Sequence, residues 1–393
     1  MPSAQNPSEG LATANGVLHD CRMSVSVAAR EPPVRPTPQP ISLIDSTGSA
    51  VTGKRTAGFA RPSDEVLLGL YRQMVVARRF DVQVSALTRQ GRLATYPSAL
   101  GQEACEIAAV ASLEERDWMF PTYRDTIALV TRGVSPAEVL AFFRGDWHLG
   151  FDPNRYRIAP QATPLATQSL HAVGLATAAK LKGDDTVALA FLGDGSTSEG
   201  DAHEAFNFAA VWQAPVVFLV QNNQYAISVP VAKQTHARTF ADKAIGYGMP
   251  GYFVDGNDAA AVFAVISAGV ERARAGGGPT LIEGLTYRVE AHTNSDDPTR
   301  YRDKAEETRW RGLDPLARLE KYLTTAAILT PAIVLGISDQ AEALASTTRD
   351  AMNESPVVDP LELFDHVYVN ERPALLEQRQ FLERELAATE AGT

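Results

Sequence analysis

Two apolar runs of strand length, Thr186–Leu192 and Pro215–Gln221, flank a stretch with helical spacing, and this arrangement constrains the fold more than any other feature. Over Glu199–Gln213, Ala202, Ala205, Phe206, Ala209 and Trp212 recur along one helical side, with Ser198 the expected N-cap. Strand, helix and strand in that order make a right-handed crossover, so the two strands lie parallel. Strands apolar on both faces belong inside a sheet covered by helices on each side. The pattern recurs, with strands expected at Gly251–Asp255 and Pro279–Tyr287 and helices at Gln168–Leu181 and Asp258–Ala275. The fold class is therefore α/β: a mostly parallel sheet covered by helices, followed by a helical C-terminal segment.

The first run ends in Gly193-Asp194-Gly195 and the second in Gln221-Asn222-Asn223. Parallel strands bring Asp194 and Asn223 to the same carboxyl edge, where open α/β sheets bind ligands. Glycines there let backbone N–H groups approach an anion, and a following helix N-terminus favours negative charge. An aspartate would repel a bare phosphate, and a cation between them resolves the conflict. Carboxylate and amide oxygens suit Mg2+, which completes its shell with phosphate oxygens and water. The pattern is not the dinucleotide fingerprint, because Ser198 stands where its third glycine belongs, and no P-loop or EF-hand spacing occurs.

The 393 residues carry a net charge of −11 with no basic block, which argues against nucleic acid as a partner. No apolar run is long enough to span a membrane. The two cysteines, Cys21 and Cys105, suggest neither a disulfide framework nor a zinc site. The first 20 residues lack Lys and Arg and contain Glu9 and Asp20, unlike a secretory or mitochondrial leader, so a cytoplasmic location is expected. Three regions are anticipated: a flexible Pro-rich tail over 1–60, an α/β domain over 61–313, and a helical segment over 314–393 that packs on the domain or on a partner. In the tail, five of the nine residues from Pro32 to Pro40 are proline, and Met23 is an alternative start. Order is expected from Ser63, an N-cap for a helix through Leu67, Leu70, Tyr71, Met74, Val75 and Phe80. Later helices are expected at Leu316–Leu323, Asp339–Met352 and Ala374–Ala388.

Gly-Asp-Gly followed after about two dozen residues by Asn-Asn resembles the thiamine-diphosphate signature. The wider stretch GDGSTSEGDAHEAFNFAAVWQAPVVFLVQNNQYAISVP resembles the alpha subunit of the decarboxylating component of 2-oxo acid dehydrogenase complexes. The likeness runs from about Arg61 to the C-terminal helices and implies a thiamine-diphosphate-binding fold. It implies that Asp194 and Asn223 give side-chain oxygens to Mg2+, and Tyr225 its carbonyl. Gly195 and Ser196 match backbone contacts to the diphosphate, and Tyr123 and Arg124, in FPTYRD, match a cofactor-binding pair. Within ATPLATQ, Thr163 would face the cofactor and Leu165 would wedge its two rings into a bent form; some members bind K+ there. His292, in TYRVEAHTNSDDPTRYR, matches a catalytic histidine on a loop beside the cofactor phosphate. Thr293 replaces the serine phosphorylated in animal homologues, which does not support kinase control.

Of the other histidines, His19 lies in the tail, His171 and His203 fall within helices, and His148, His236 and His366 have no supporting neighbours. The resemblance implies oxidative decarboxylation of a 2-oxo acid and acyl transfer to a lipoyl acyltransferase, together with a beta subunit, most simply in an α2β2 heterotetramer. SEGDAHEAFNFAA and AHTNSDDPTRYR favour branched-chain substrates, hence branched-chain amino acid catabolism, and QNNQYAISVPVAKQT leaves pyruvate as the alternative. A stand-alone thiamine enzyme would need a second α/β domain for which the chain lacks room. A non-catalytic nucleotide-binding scaffold would not need Asp194, Asn223, Arg124 and His292 together.

Overall fold

The computed structural model describes residues 34–146, 149–354, 359–365 and 367–391. His19, Cys21, Met23, His148 and His366 lie outside these, as do residues 1–33 of the expected tail. The central sheet is built from β1 (Trp118–Phe120), β2 (Ala188–Gly193), β3 (Val216–Asn222), β6 (Gly251–Asp255) and β7 (Thr280–Leu285), with a small hairpin of β4 (Tyr225–Ala226) and β5 (Val229–Pro230) beside it. Its order is β1-β2-β3-β7-β6, and every neighbouring pair is parallel.

The two-residue repeat of a strand divides these apolar runs between two cores. Val187, Leu189, Phe191, Val217, Leu219 and Ile282 join the larger core with the helices Asp64–Arg89, Glu103–Ala111 and Ala259–Arg272. Ala188, Ala190, Leu192, Val216, Phe218, Val220 and Leu281 face the opposite way, onto Thr167–Lys182 and Gly200–Trp212. Small residues on those two helices (Ala172, Ala176, Ala202, Ala205 and Ala209) allow close approach to the sheet. β2 and β3 share a register that pairs Gly193 with Gln221, so both strands release the chain at the same level.

The expected helix start holds, since the Ser63 side chain accepts from Val66 N at the head of Asp64–Arg89. The helix Gly200–Trp212 is capped otherwise than expected. Gly195–Ser198 forms a 3-10 turn, and Glu199 takes the N-cap position with no side-chain cap bond.

Residues 34–60 are no tail. Ile41, Leu43 and Ile44 are buried in the larger core, and Ile41 bridges in parallel to Val254. The cause is one buried carboxylate: Asp258 Oδ2 accepts from Leu43 N (2.6 Å), Ile44 N (2.7 Å) and Ser42 Oγ (3.0 Å). Its Oδ1 caps Ala259–Arg272 through Ala260 N and Ala261 N.

The boundary expected at residue 314 is not a break in packing. Leu319 and Leu323 of Pro315–Thr325, and Ile337 and Met352 of Pro331–Asn353, belong to the same core as the sheet, with Leu316 packed against it. Pro331–Asn353 lies along Asp64–Arg89, where Arg79 grips Glu342 with Nε and Nη2 at 2.6 and 2.9 Å. The apolar positions Leu316, Leu319 and Leu323 are therefore used within the chain rather than left for a partner. Among the described residues, no helix is long and apolar enough to cross a membrane.

Candidate functional site

The carboxyl ends of β2 and β3 open into a cavity. It brings together Tyr123, Arg124, Leu165, Asp194, Gly195, Ser196, Asn223, Tyr225 and His292, nine of the ten expected site residues. Thr163 is the exception: it is exposed and lines no part of the cavity, because the bend through Pro164 turns it outward while Leu165 faces in.

Asp194, 1% exposed, follows β2 directly. Burial raises its pKa above the usual carboxylate value, opposed chiefly by a bond from Gln234. Ser196 closes the turn, its Oγ accepting from Gly193 N at 3.1 Å. Lys243 holds the turn from behind, Nζ donating to Thr197 O (2.8 Å) and Thr197 Oγ1 (3.0 Å). A side chain at Gly195 would bring its Cβ within 2.7 Å of Ala226 Cβ, so glycine is required there for the β4 hairpin to approach.

The orientation of Asn223 is inherited from a chain of side chains. Asp125, its pKa pushed up to about 6 by burial, acts here as an acceptor, its Oδ2 already taking bonds from Thr122 N and Thr122 Oγ1 at 2.6 Å each. Gln221 Nε2 therefore donates to Asp125 Oδ1 (2.5 Å), and its Oε1 accepts from Gln102 Nε2 (3.2 Å). Gln102 Oε1 in turn accepts from Asn223 Nδ2 at 2.7 Å. This leaves Asn223 Oδ1 facing two other oxygens, Tyr225 O at 3.0 Å and Asp194 Oδ1 at 3.2 Å. Turning the amide over would relieve that contact but set its oxygen 2.7 Å from Gln102 Oε1. The chain of donors back to Asp125 makes the first orientation the better one. Asn223 Oδ1 thus lies between two other oxygens and accepts from Tyr225 N at 3.3 Å.

Nitrogen dominates a neighbouring part of the lining. Arg124, 5% exposed, donates to Ser98 O (2.9 Å) and His292 O (3.1 Å). Ser98 is itself fixed by Asp81, whose Oδ2 accepts from its hydroxyl at 2.5 Å. Arg288, 1% exposed, donates to Tyr225 O (3.2 Å), Ile227 O (2.7 Å) and Tyr301 Oη (2.9 Å). Burial, then the nearby Arg124 and Arg302 charges, lower its pKa to about 10. Among the described residues, neither Arg124 nor Arg288 forms an ion pair within the chain.

His292 Nδ1 lies 3.1 Å from Arg124 Nη2 and 3.3 Å from Arg288 Nη1. Two guanidinium donors assign Nδ1 as an acceptor, so the proton sits on Nε2. Burial and these cations hold the imidazole neutral, with a pKa of about 4. Tyr123 meets the ring edge-on at 6.0 Å. Asp296 anchors the loop, its Oδ2 accepting from His292 N (2.8 Å) and from the Tyr301 hydroxyl.

Several lining residues had escaped the sequence reading. Arg288 is a charged residue one step past a buried apolar strand, which was its only signal. Gln102 and Gln221 look like ordinary polar residues until folding places them side by side. Ile227 adopts φ +54, rare for a β-branched residue, and its turn follows Gln224 at φ +77.

A family model described as dehydrogenase E1 component matches residues 71–360. The chain belongs to the dehydrogenase E1 component family. Its reading as an alpha subunit of a 2-oxo acid dehydrogenase, and its α/β fold, stand accordingly. This E1 chain is 46% identical over 353 residues to a 3-methyl-2-oxobutanoate dehydrogenase subunit alpha of Mycobacterium tuberculosis, covering 90% of this chain and 95% of the relative. It is 36% identical over 336 residues to a pyruvate dehydrogenase E1 component subunit alpha of Acholeplasma laidlawii, covering 85% and 96%. A Staphylococcus aureus protein of the same name is 41% identical over 284 residues, covering 72% and 76%.

Proposed function

We propose that this E1 alpha chain acts on branched-chain 2-oxo acids, using thiamine diphosphate and Mg2+, and passes the acyl group to a lipoyl acyltransferase. The observation that carries the cofactor reading is the meeting, in one cavity, of oxygens from Asp194, Asn223 and Tyr225 with two buried guanidiniums that form no ion pair among the described residues. Neighbouring oxygens around Mg2+, bound at about 2.1 Å in an octahedron, lie roughly 3.0 Å apart. Asn223 Oδ1, 3.0 Å from Tyr225 O and 3.2 Å from Asp194 Oδ1, fits that spacing to each of them. Buried cations without counter-ions are costly, and Arg124 and Arg288 fit an anionic diphosphate.

Asp194, Asn223 and the Tyr225 carbonyl would hold the ion, while Gly195 and Ser196 would present backbone to the diphosphate. Tyr123 and Arg124 would flank it, and Leu165 would shape the apolar wall beside the rings. Thiamine diphosphate, when bound, supplies an electron sink for loss of CO2 from a 2-oxo acid. His292 is the catalytic candidate of this chain: as a neutral imidazole it holds a proton at Nε2 and can donate a hydrogen bond without adding a third positive charge. The exposed position of Thr163 gives no support to a cofactor or K+ contact from that side chain.

The 46% identity to a 3-methyl-2-oxobutanoate dehydrogenase subunit over nearly its whole length supports the branched-chain substrate. Pyruvate is the second reading, favoured by the relatives of that name. A beta subunit, arranged as α2β2, is supported by the chain having one five-stranded sheet and one hairpin among its described residues, with no second large sheet for the rest of the cofactor. The buried, free Cys105 is compatible with the cytoplasm. The test is CO2 release by the chain co-expressed with its beta partner. Preference for 3-methyl-2-oxobutanoate supports the branched-chain reading, and preference for pyruvate replaces it. The chain purified by itself should be inactive on both.

A further inference from the structure

Asp194 presents one oxygen to the cavity, and a neighbour to which the sequence reading gave no role accounts for the other. Gln234 Nε2 donates to Asp194 Oδ2 at 2.5 Å and to Val229 O at 3.0 Å. Gln234 Oε1 is buried and has no hydrogen-bond partner. Both Nε2 protons are therefore spent, one on the carboxylate and one on the hairpin that continues from Tyr225. Val231 N donates to Gln224 O at 3.2 Å and ties the Gln234 turn to the same hairpin. Asp194 Oδ1 is left to face Asn223 Oδ1 at 3.2 Å.

A carboxylate with one oxygen already accepting a strong hydrogen bond can give a cation one oxygen without losing that bond. Mg2+ takes single carboxylate oxygens in a strict octahedron, whereas Ca2+ is larger, accepts more ligands and readily takes both oxygens of one carboxylate. We propose that Gln234 is a positioning residue that holds Asp194 to one-oxygen coordination and so selects a small octahedral cation over Ca2+. The inference rests on the metal reading of Asp194, Asn223 and Tyr225.

The experiment uses the assembled alpha–beta enzyme, stripped of metal, with thiamine diphosphate present. Mn2+ serves as the small-ion probe, read by electron paramagnetic resonance, and Ca2+ is measured by competition against it. Gln234→Met removes the donor at similar length. It should weaken Mn2+ binding about tenfold, as expected for loss of a hydrogen bond to a charged group, while Ca2+ binding holds or tightens. Gln234→Lys restores a donor to Oδ2; it should lower affinity for both ions by added charge yet keep the wild-type Mn2+/Ca2+ ratio. Thermal midpoints without metal check that both variants fold.

Equal loss of both ions in Gln234→Met would assign Gln234 a merely structural role and overturn the proposal. An unchanged ratio with unchanged affinities would overturn it too. Asp194→Ala separates the two levels of the argument. If that variant binds Mn2+ like the wild type, the metal reading itself falls, and the selectivity inference with it.

Discussion

Along the β2–β3 edge, Asp194, Asn223 and the Tyr225 carbonyl present oxygens from chain segments that leave two adjacent strands at one level. Beside them, in the same cavity, Arg124, Arg288 and His292 present nitrogens from segments more than 160 residues apart in sequence. The oxygen wall is set by strand register and by amides locked to Asp125. The nitrogen wall is set by backbone carbonyls (Ser98, Ile227, that of His292 and that of Tyr225, which belongs to both walls) that hold the guanidiniums without neutralising them. One wall calls for a cation and the other for an anion, and each is strained alone. A metal–diphosphate pair would satisfy both, which would make their ligand affinities interdependent.

The largest effect should come from Asp194→Ala. With the oxygen wall opened, Mg2+-dependent uptake of thiamine diphosphate should fall by more than about 100-fold, beyond the range for losing a group that only orients a ligand. Calorimetry on the assembled enzyme reads it, and wild-type-like uptake would break the comparison by showing that the wall binds no cation.

Arg288→Met attacks the other wall and should weaken cofactor binding on the order of 10- to 100-fold, as expected for one charge-assisted bond to a phosphate. The same calorimetry should show Mg2+ losing its influence on cofactor affinity in this variant, because the walls act through one ligand. Independent losses would separate them.

A smaller effect concerns pH. The folded His292 accepts a proton only near pH 4, whereas the unfolded side chain does so near 6.5. Between these values the unfolded chain binds more protons, so stability rises with pH across that window, and His292 contributes no slope above it. The imidazole resonances should stay flat from pH 8 down to about 5, and His292→Gln should flatten the acid side of the stability curve. A midpoint near 6.5 would mean that the two guanidiniums do not act on the ring.

The smallest expected change is local. Asp296→Ala frees His292 N and the Tyr301 hydroxyl together, and proteolysis within 290–302 should speed up several-fold with little change in the global thermal midpoint. An unaltered cleavage rate would show that the loop is held elsewhere.

The oxygen wall was legible in the sequence because its parts are local. Gly193-Asp194-Gly195 and Asn222-Asn223 sit at the ends of two apolar runs, and strand–helix–strand handedness does the rest. The long sheet strands were legible for the same reason, while β1, with three residues, carries too little periodicity to read. Arg288 and the Gln102–Gln221 pair depend on contacts no spacing reveals. The roles of Ile41, Leu43 and Ile44 were hidden by the prolines before them, and only the buried Asp258 carboxylate explains their order. Whether the helix carrying Leu319 and Leu323 packs on the domain or on a partner stayed open in the sequence, because an amphipathic helix does not say which surface covers it.

The central claim is that a divalent cation sits among Asp194 Oδ1, Asn223 Oδ1 and Tyr225 O. Anomalous scattering from crystals of the assembled enzyme grown with Mn2+ and thiamine diphosphate locates the ion directly. A single peak bonded to those three oxygens is the predicted result. A metal peak bonded elsewhere, or bound cofactor with no metal between Asp194 and the diphosphate, would contradict it.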